Sequence, residues 1–140
     1  MGRRKPKTEK QILYEKRNIE LQNCQRPKGE SNRHIIKTHY MLNHVNYIKL
    51  DLSAKVALDY MIDWAFGNEE FLKTGEFPFS ITMLKNIGVM SSVTSTKALR
   101  QLEMYGFIKK MNNATFQSGI TQMWAFSNEW QNGVKSDKKE

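Results

Sequence analysis

A chain of 140 residues with 39% hydrophobic content, a single cysteine and a net charge of +8 suits one domain with tails, with about 90 to 100 residues in a core large enough to fold alone. The lone Cys24 excludes an intramolecular disulfide and has no spaced partner for a zinc site, which fits a reducing cytoplasmic compartment. No apolar run approaches the roughly 20 residues that span a bilayer, and the basic start is not followed by an apolar signal core, so no membrane association is expected.

The charge is uneven. Residues 1–40 carry eleven lysines and arginines against four acids, whereas residues 41–140 carry eleven against ten. Met1 to Lys10, with Arg3, Arg4, Lys5 and Lys7 around Pro6, is too polar to build a core and is expected to be a mobile arm. Such an arm neutralises phosphates without reading sequence, the plainer alternative being a solubilising tail. Thr8 to Asn23 is a predicted helix with Thr8 as its cap and Gln11 where a capping-box partner stands. Its apolar residues, Ile12, Leu13, Tyr14, Ile19 and Leu21, make no clean stripe, so docking on the body, pairing with a second copy and folding on DNA all stay open. Gln25 to Asn32 is a linker by composition, punctuated by Pro27 and Gly29. Residues 1–33 are therefore taken as arm, helix and linker, 34–130 as the folded domain, and 131–140 as a disordered polar tail.

His34 to Leu50 is compatible with a strand or with short helical turns. His34, His39 and His44 recur every five residues, net about 140° apart on a helix, so they do not converge and no metal is expected. Ser53 to Phe66 is the strongest helical pattern: Ser53 as cap, then Ala54, Ala57, Leu58, Met61, Ile62 and Ala65 at helical spacing with Trp64 at the border. Asp59 and Asp63 share one side of it. Paired carboxylates can invite acid–base or metal chemistry, but no nucleophile, ligand set or phosphate loop accompanies them, so they are read as a hydrated face, with no enzyme and no cofactor expected. Residues 51–76 hold six acids against two bases.

Gly67 to Gly75 reads as a polar connection, and Glu76 to Phe79 as a short edge strand, where Pro78 is tolerated. From Phe79 to Ile108 two helix-forming runs flank Ile87-Gly88-Val89-Met90, a break whose glycine reaches a backbone conformation that strains other residues. The first run is expected to bury Ile81, Leu84 and Ile87, with Met83 nearby. Ser91 or Ser92 caps the second, which runs to Tyr105 and stops at Gly106. Its inner face is Ser95, Ala98, Leu99 and Leu102; the opposite face is Val93, Lys97, Arg100 and Met104, flanked by Thr94 and Gln101. That outer face has the chemistry to enter a DNA major groove, the plainer alternative being a solvated amphipathic helix. Phe107 to Met111 then reads as a strand, Asn112 to Thr115 with Ser118-Gly119 as turn chemistry, and Ile120 to Phe126 as a returning strand. Trp124 and Trp130 are expected in the core rather than stacking on bases.

Taken together, Ile87-Gly88-Val89, Lys97-Ala98-Leu99-Arg100-Gln101-Leu102-Glu103, Gly106-Phe107-Ile108, and Trp124-Ala125-Phe126-Ser127 with Trp130 carry a likeness. The chain resembles the winged helix-turn-helix family of small bacterial, phage and plasmid proteins that act in transcriptional control or replication. The likeness reaches upstream to Leu52-Ser53-Ala54 and covers about two thirds of the chain. Two departures stand out: the interval from Gly88 to Gly106 is one residue longer than the family pattern, and Ser95 stands where an aliphatic residue is usual.

The resemblance implies an α+β fold, a three-helix core with a small antiparallel sheet and wing, extended by the basic arm and helix. It implies helical turns over His34 to Leu50 and pairing of the strand at Glu76 with the second wing strand. It also implies sequence-specific binding of double-stranded DNA in transcription regulation or replication of a phage, plasmid or other mobile element. Val93, Thr94, Ser95, Lys97, Arg100 and Gln101 would then face bases, with Arg100 suited to guanine, Gln101 to adenine and Val93 to a thymine methyl. Ser80, Ser91 and Ser92 would donate to phosphates at helix N-termini. Lys109, Lys110, Asn112 and Asn113 would follow the backbone, as would Arg3, Arg4 and Lys5 from the arm. Residues 80–113 hold five bases against one acid, so charge polarity independently agrees. The alternative is a protein-interaction module or RNA-binding adaptor without duplex specificity. Two-fold DNA sites call for a homodimer, for which residues 8–23 or Ile35 to Leu50 are the candidate surfaces.

Overall fold

The computed structural model describes residues 5–31, 33–112 and 121–135. The chain divides into two compact units, Met1–His34 and Ile35–Glu140. In the first, α1 (Glu9–Cys24) is held by local chemistry alone. Thr8 and Gln11 form a complete capping box, each side chain accepting the other's backbone amide, at 3.2 and 2.9 Å. Ion pairs Lys7–Glu15 and Arg17–Glu20, both 2.8 Å, lie along its surface, and none of its residues is buried.

The second unit is α+β: six helices and a three-stranded antiparallel sheet among the described residues. It begins with two single turns, α2 (His39–Leu42) and α3 (Val45–Ile48), so His34 to Leu50 holds short helical turns rather than a strand. Short side chains make those turns. Thr38 Oγ1 accepts from the Met41 amide at 3.1 Å, and His44 Nδ1 accepts from the Asn46 amide at 3.1 Å.

Helix α4 (Leu52–Phe66) buries all six of the residues spaced for it, Ala54, Ala57, Leu58, Met61, Ile62 and Ala65. Its start differs from the expectation. Asp51, not Ser53, occupies the cap position and makes no side-chain capping bond. The stretch from Gly67 to Gly75, expected as a connection, contains α5 (Glu69–Thr74), because Asn68 Oδ1 accepts from the Glu70 and Phe71 amides and Gly75 ends the helix at φ 80°. Its one inward aromatic, Phe71, meets Phe66, Phe77 and Phe126 edge-on at 5.2, 5.8 and 5.6 Å.

Strand β1 (Glu76–Pro78) leads to α6 (Ile81–Asn86) and α7 (Ser92–Met104), and then to β2 (Ile108–Lys110) and β3 (Met123–Phe126). The sheet order is β1-β3-β2, with Phe77 opposite Trp124 and Lys109 opposite Ala125. Pro78 thus sits on an edge strand, where its missing amide costs the ladder nothing. Helix α7 packs across α4 and against α6, and the sheet closes the remaining side. Phe77, Phe79, Met61, Leu84, Leu99, Leu102 and Ile108 are the largest fully buried side chains; each contributes about 1.5–3 kcal/mol from burial.

A 3-10 turn at Glu129–Gln131 carries Trp130 onto Phe107, their rings stacked at 5.3 Å. Beyond it the chain is held. Asn46, fully buried, donates to the carbonyls of Trp130 (2.6 Å) and Gly133 (2.8 Å) and accepts from the Lys135 amide (2.7 Å). The polar tail expected from Gln131 is therefore tied down through Lys135, and residues 136–140 lie outside the described residues. Among the described residues no helix is long and apolar enough to cross a membrane.

Candidate nucleic-acid interface

The link between α6 and α7 follows from Gly88. At φ 76° it takes the left-handed position after α6. The Gly88 amide bonds Lys85 O and the Val89 amide bonds Leu84 O, both at 3.0 Å, the paired bonds of a Schellman motif. The motif also explains a missed core position. Ile87 is the capping residue and is 58% exposed, whereas Val89, one residue past the glycine, packs back on the core with Ile81, Met83 and buried Leu84. A second Schellman pair ends α7: the Gly106 amide to Glu103 O, and the Phe107 amide to Leu102 O. There a Cβ on Gly106 (φ 84°) would lie 2.7 Å from Trp130 N, so only glycine fits.

Ser91 caps α7, its Oγ accepting from the Thr94 amide at 3.2 Å. Ala98, Leu99 and Leu102 are buried inward as spaced. So is Ser95, whose Oγ donates to Ser91 O at 2.8 Å. That back-bond satisfies the hydroxyl inside the core and accounts for a serine at an aliphatic position, but it removes Ser95 from the base-facing set. Thr94 and Ser92 are half-buried; Thr94 is bonded through both amide and hydroxyl to Ser91, and Ser92 O accepts from Thr96 Oγ1 at 2.8 Å.

Gln101 is a further correction. Its Oε1 accepts from the Asp51 amide at 2.7 Å, at the entry to α4 that lacks a side-chain cap. Pairing with adenine needs both the oxygen and the nitrogen of a glutamine amide, so Gln101 is a structural residue.

What remains outward on α7, beside the exposed carboxylate of Glu103, is one ridge. Val93 is 66% exposed, Met104 37%, and Lys97 and Arg100 are exposed between them. Neither cation is hydrogen-bonded or ion-paired to any described residue. On the sheet, Lys109 is exposed and Lys110 half-buried. Asn112 does not face outward for phosphates: its Nδ2 donates to Thr121 O at 2.9 Å and its Oδ1 accepts from the Met123 amide at 3.2 Å, which extends the β2–β3 pairing by side chain. Ser80 Oγ lies 2.8 Å from Thr82 Oγ1 at the start of α6. Lys5 is exposed in the first unit. Arg3, Arg4 and Asn113 lie outside the described residues.

The aromatic and acidic candidates resolve differently. Trp124 and Trp130 are 4% and 7% exposed, and the Trp124 indole donates to Phe79 O at 3.1 Å; both are core residues. Asp63 is exposed and the Asp59 side chain 40% exposed, in keeping with a hydrated face, but Asp59 also has a partner. It pairs with the Lys37 ammonium, which also donates to Tyr47 Oη at 2.7 Å and lies 4.8 Å from the Tyr47 ring centroid. Lys37 is 22 positions upstream, so local spacing holds no trace of this tie.

The ridge can do two things chemically. An unpaired guanidinium offers a planar fork of donors to guanine or phosphate, and an unpaired ammonium offers a point charge to phosphate. No protein-family model, no curated protein and no solved structure matches the chain.

Proposed function

We propose that the Ile35–Glu140 unit is a winged helix-turn-helix and that the protein binds double-stranded DNA with sequence preference. In this reading α7 is the recognition helix, α6 supports it across the Gly88 turn, and β2 and β3 are the arms of a wing. The observation that carries it is the pair Lys97 and Arg100 on the exposed ridge of α7, neither of them hydrogen-bonded or ion-paired to a described residue, although Glu103 is exposed one turn beyond Arg100. Cations so arranged on the exposed face of a helix are suited to a phosphate-lined groove.

Arg100 donates to guanine O6 and N7, Val93 meets a thymine methyl, and Lys97 contacts a phosphate or a base edge. Lys109 and Lys110 follow the backbone beside it, and the basic arm at Lys5 adds charge contacts without sequence content. The protein then acts in the cytoplasm as a transcription regulator or replication accessory of a mobile element, without catalysis. Selection from a random duplex library tests this. A recovered consensus supports it, and a palindrome would add a two-fold dimer. Enrichment no better on duplex than on single-stranded DNA or RNA would move the protein to the adaptor class.

A further inference from the structure

The Ile35–Glu140 unit holds a concave pocket of about 360 Å3 between the segment before α2, the middle of α4, and the ends of the sheet. Buried Leu58, Ile62, Phe107 and Trp130 line it, and so do Tyr40 and Phe66, which are 63% and 40% exposed. Trp130 stacks on Phe107 at 5.3 Å and meets Tyr40 at 6.0 Å, so three rings make one continuous wall. A volume of this size is within the range of small-molecule sites. The pocket is open to solvent, so a ligand there would replace water against a largely apolar lining.

Two features narrow the ligand. Charged residues make up 26% of the chain, yet none lines this pocket among the described residues, so an ion would lose hydration there without compensation. Thr38 and Ser127 also line it. Each hydroxyl already accepts from an amide, Thr38 from Met41 at 3.1 Å and Ser127 from Glu129 at 3.2 Å, which uses one lone pair and leaves each its O–H donor, a match for a carbonyl-type acceptor, beside a second lone pair.

We propose that this pocket binds a small, neutral aromatic molecule carrying a carbonyl-type oxygen. Its ring packs on the Tyr40, Phe107 and Trp130 wall, and its oxygen accepts from Thr38 or Ser127. The inference uses no residue of the α7 ridge and stands or falls apart from DNA binding.

The test is a titration of the isotope-labelled full chain with 2-quinolone, followed by amide chemical shifts, with quinoline-2-carboxylate as the anionic control. The expected result is saturable shifts at Tyr40 and from Phe126 to Gln131, with a dissociation constant of about 1 mM or tighter. The anion should bind at least about tenfold more weakly. Tyr40→Ala, at a position 63% exposed, should weaken 2-quinolone about fivefold, with an otherwise unchanged amide spectrum to show that the variant is folded. Absent or non-saturable shifts, shifts centred elsewhere, or undiminished binding by Tyr40→Ala would overturn the proposal. So would shifts of the same amides with protein concentration alone, which would make a second copy the occupant.

Discussion

Helices α1 and α4 are nearly equal in length, at 16 and 15 residues, and share almost nothing in what holds them. In α1 every identified stabiliser is local: a full capping box, two surface ion pairs and no buried residue. By contrast α4 has no side-chain cap, yet six of its residues are buried and it packs along α7. Isolated helices of this length are marginal in water, and exposed ion pairs add at most about 1 kcal/mol each. Capping therefore marks the start of α1 but is dispensable in α4, where burial makes the fold depend on the helix.

The largest effect should come from the buried side of that contrast. Met61→Ala opens a cavity beneath α4 and should cost about 2–5 kcal/mol, read as a lowered urea midpoint of the cooperative transition. Next is Asn46→Ala. Three groups, the carbonyls of Trp130 and Gly133 and the Lys135 amide, lose their partner, at a cost of about 1–3 kcal/mol. Hydrogen exchange at Lys135 should rise more than exchange in α4. Arg100→Ala should leave the urea midpoint alone and reduce binding to the preferred duplex by about 1–3 kcal/mol; an equal loss on random duplex would reduce Arg100 to a phosphate contact. The smallest is Thr8→Ala, which removes half of the capping box and should cost α1 about 0.5–2 kcal/mol. That loss should appear as lower helical circular dichroism with no shift of the cooperative transition. A shift as large as that of Met61→Ala would end the contrast.

The same division explains what could be read from the chain. The inward positions of α4 and α7, the Gly88 break and the Thr8 capping box are written in short-range periodicity or in one residue's backbone freedom, whereas the pairing of Glu76–Pro78 with β3 is implied only by the family resemblance. The misses are long-range or depend on the turn. Gln101 reaches across 50 positions to Asp51, Asn46 across 84 to Trp130, and Lys37 to Asp59. Ile87 and Val89 are both aliphatic, and only the reversal at Gly88 decides which one turns inward. For the candidate site, exposure of Val93, Lys97 and Arg100 followed from helical angle alone. The commitments of Ser95, Gln101 and Asn112 did not, because a polar side chain carries no mark in the sequence of whether its partner is solvent, DNA or its own backbone.

The central claim is that the ridge of α7 reads duplex DNA. The most direct measurement is fluorescence anisotropy on a selected and a random duplex, from about 50 to 200 mM salt, for the wild type and for the double variant Lys97→Ala, Arg100→Ala. The account predicts a wild-type preference for the selected duplex, affinity that falls with salt on both, and a double variant that binds the two alike with a shallower salt slope. Absence of duplex binding by the wild type at about 50 mM salt, or a double variant that keeps the full preference, would contradict it.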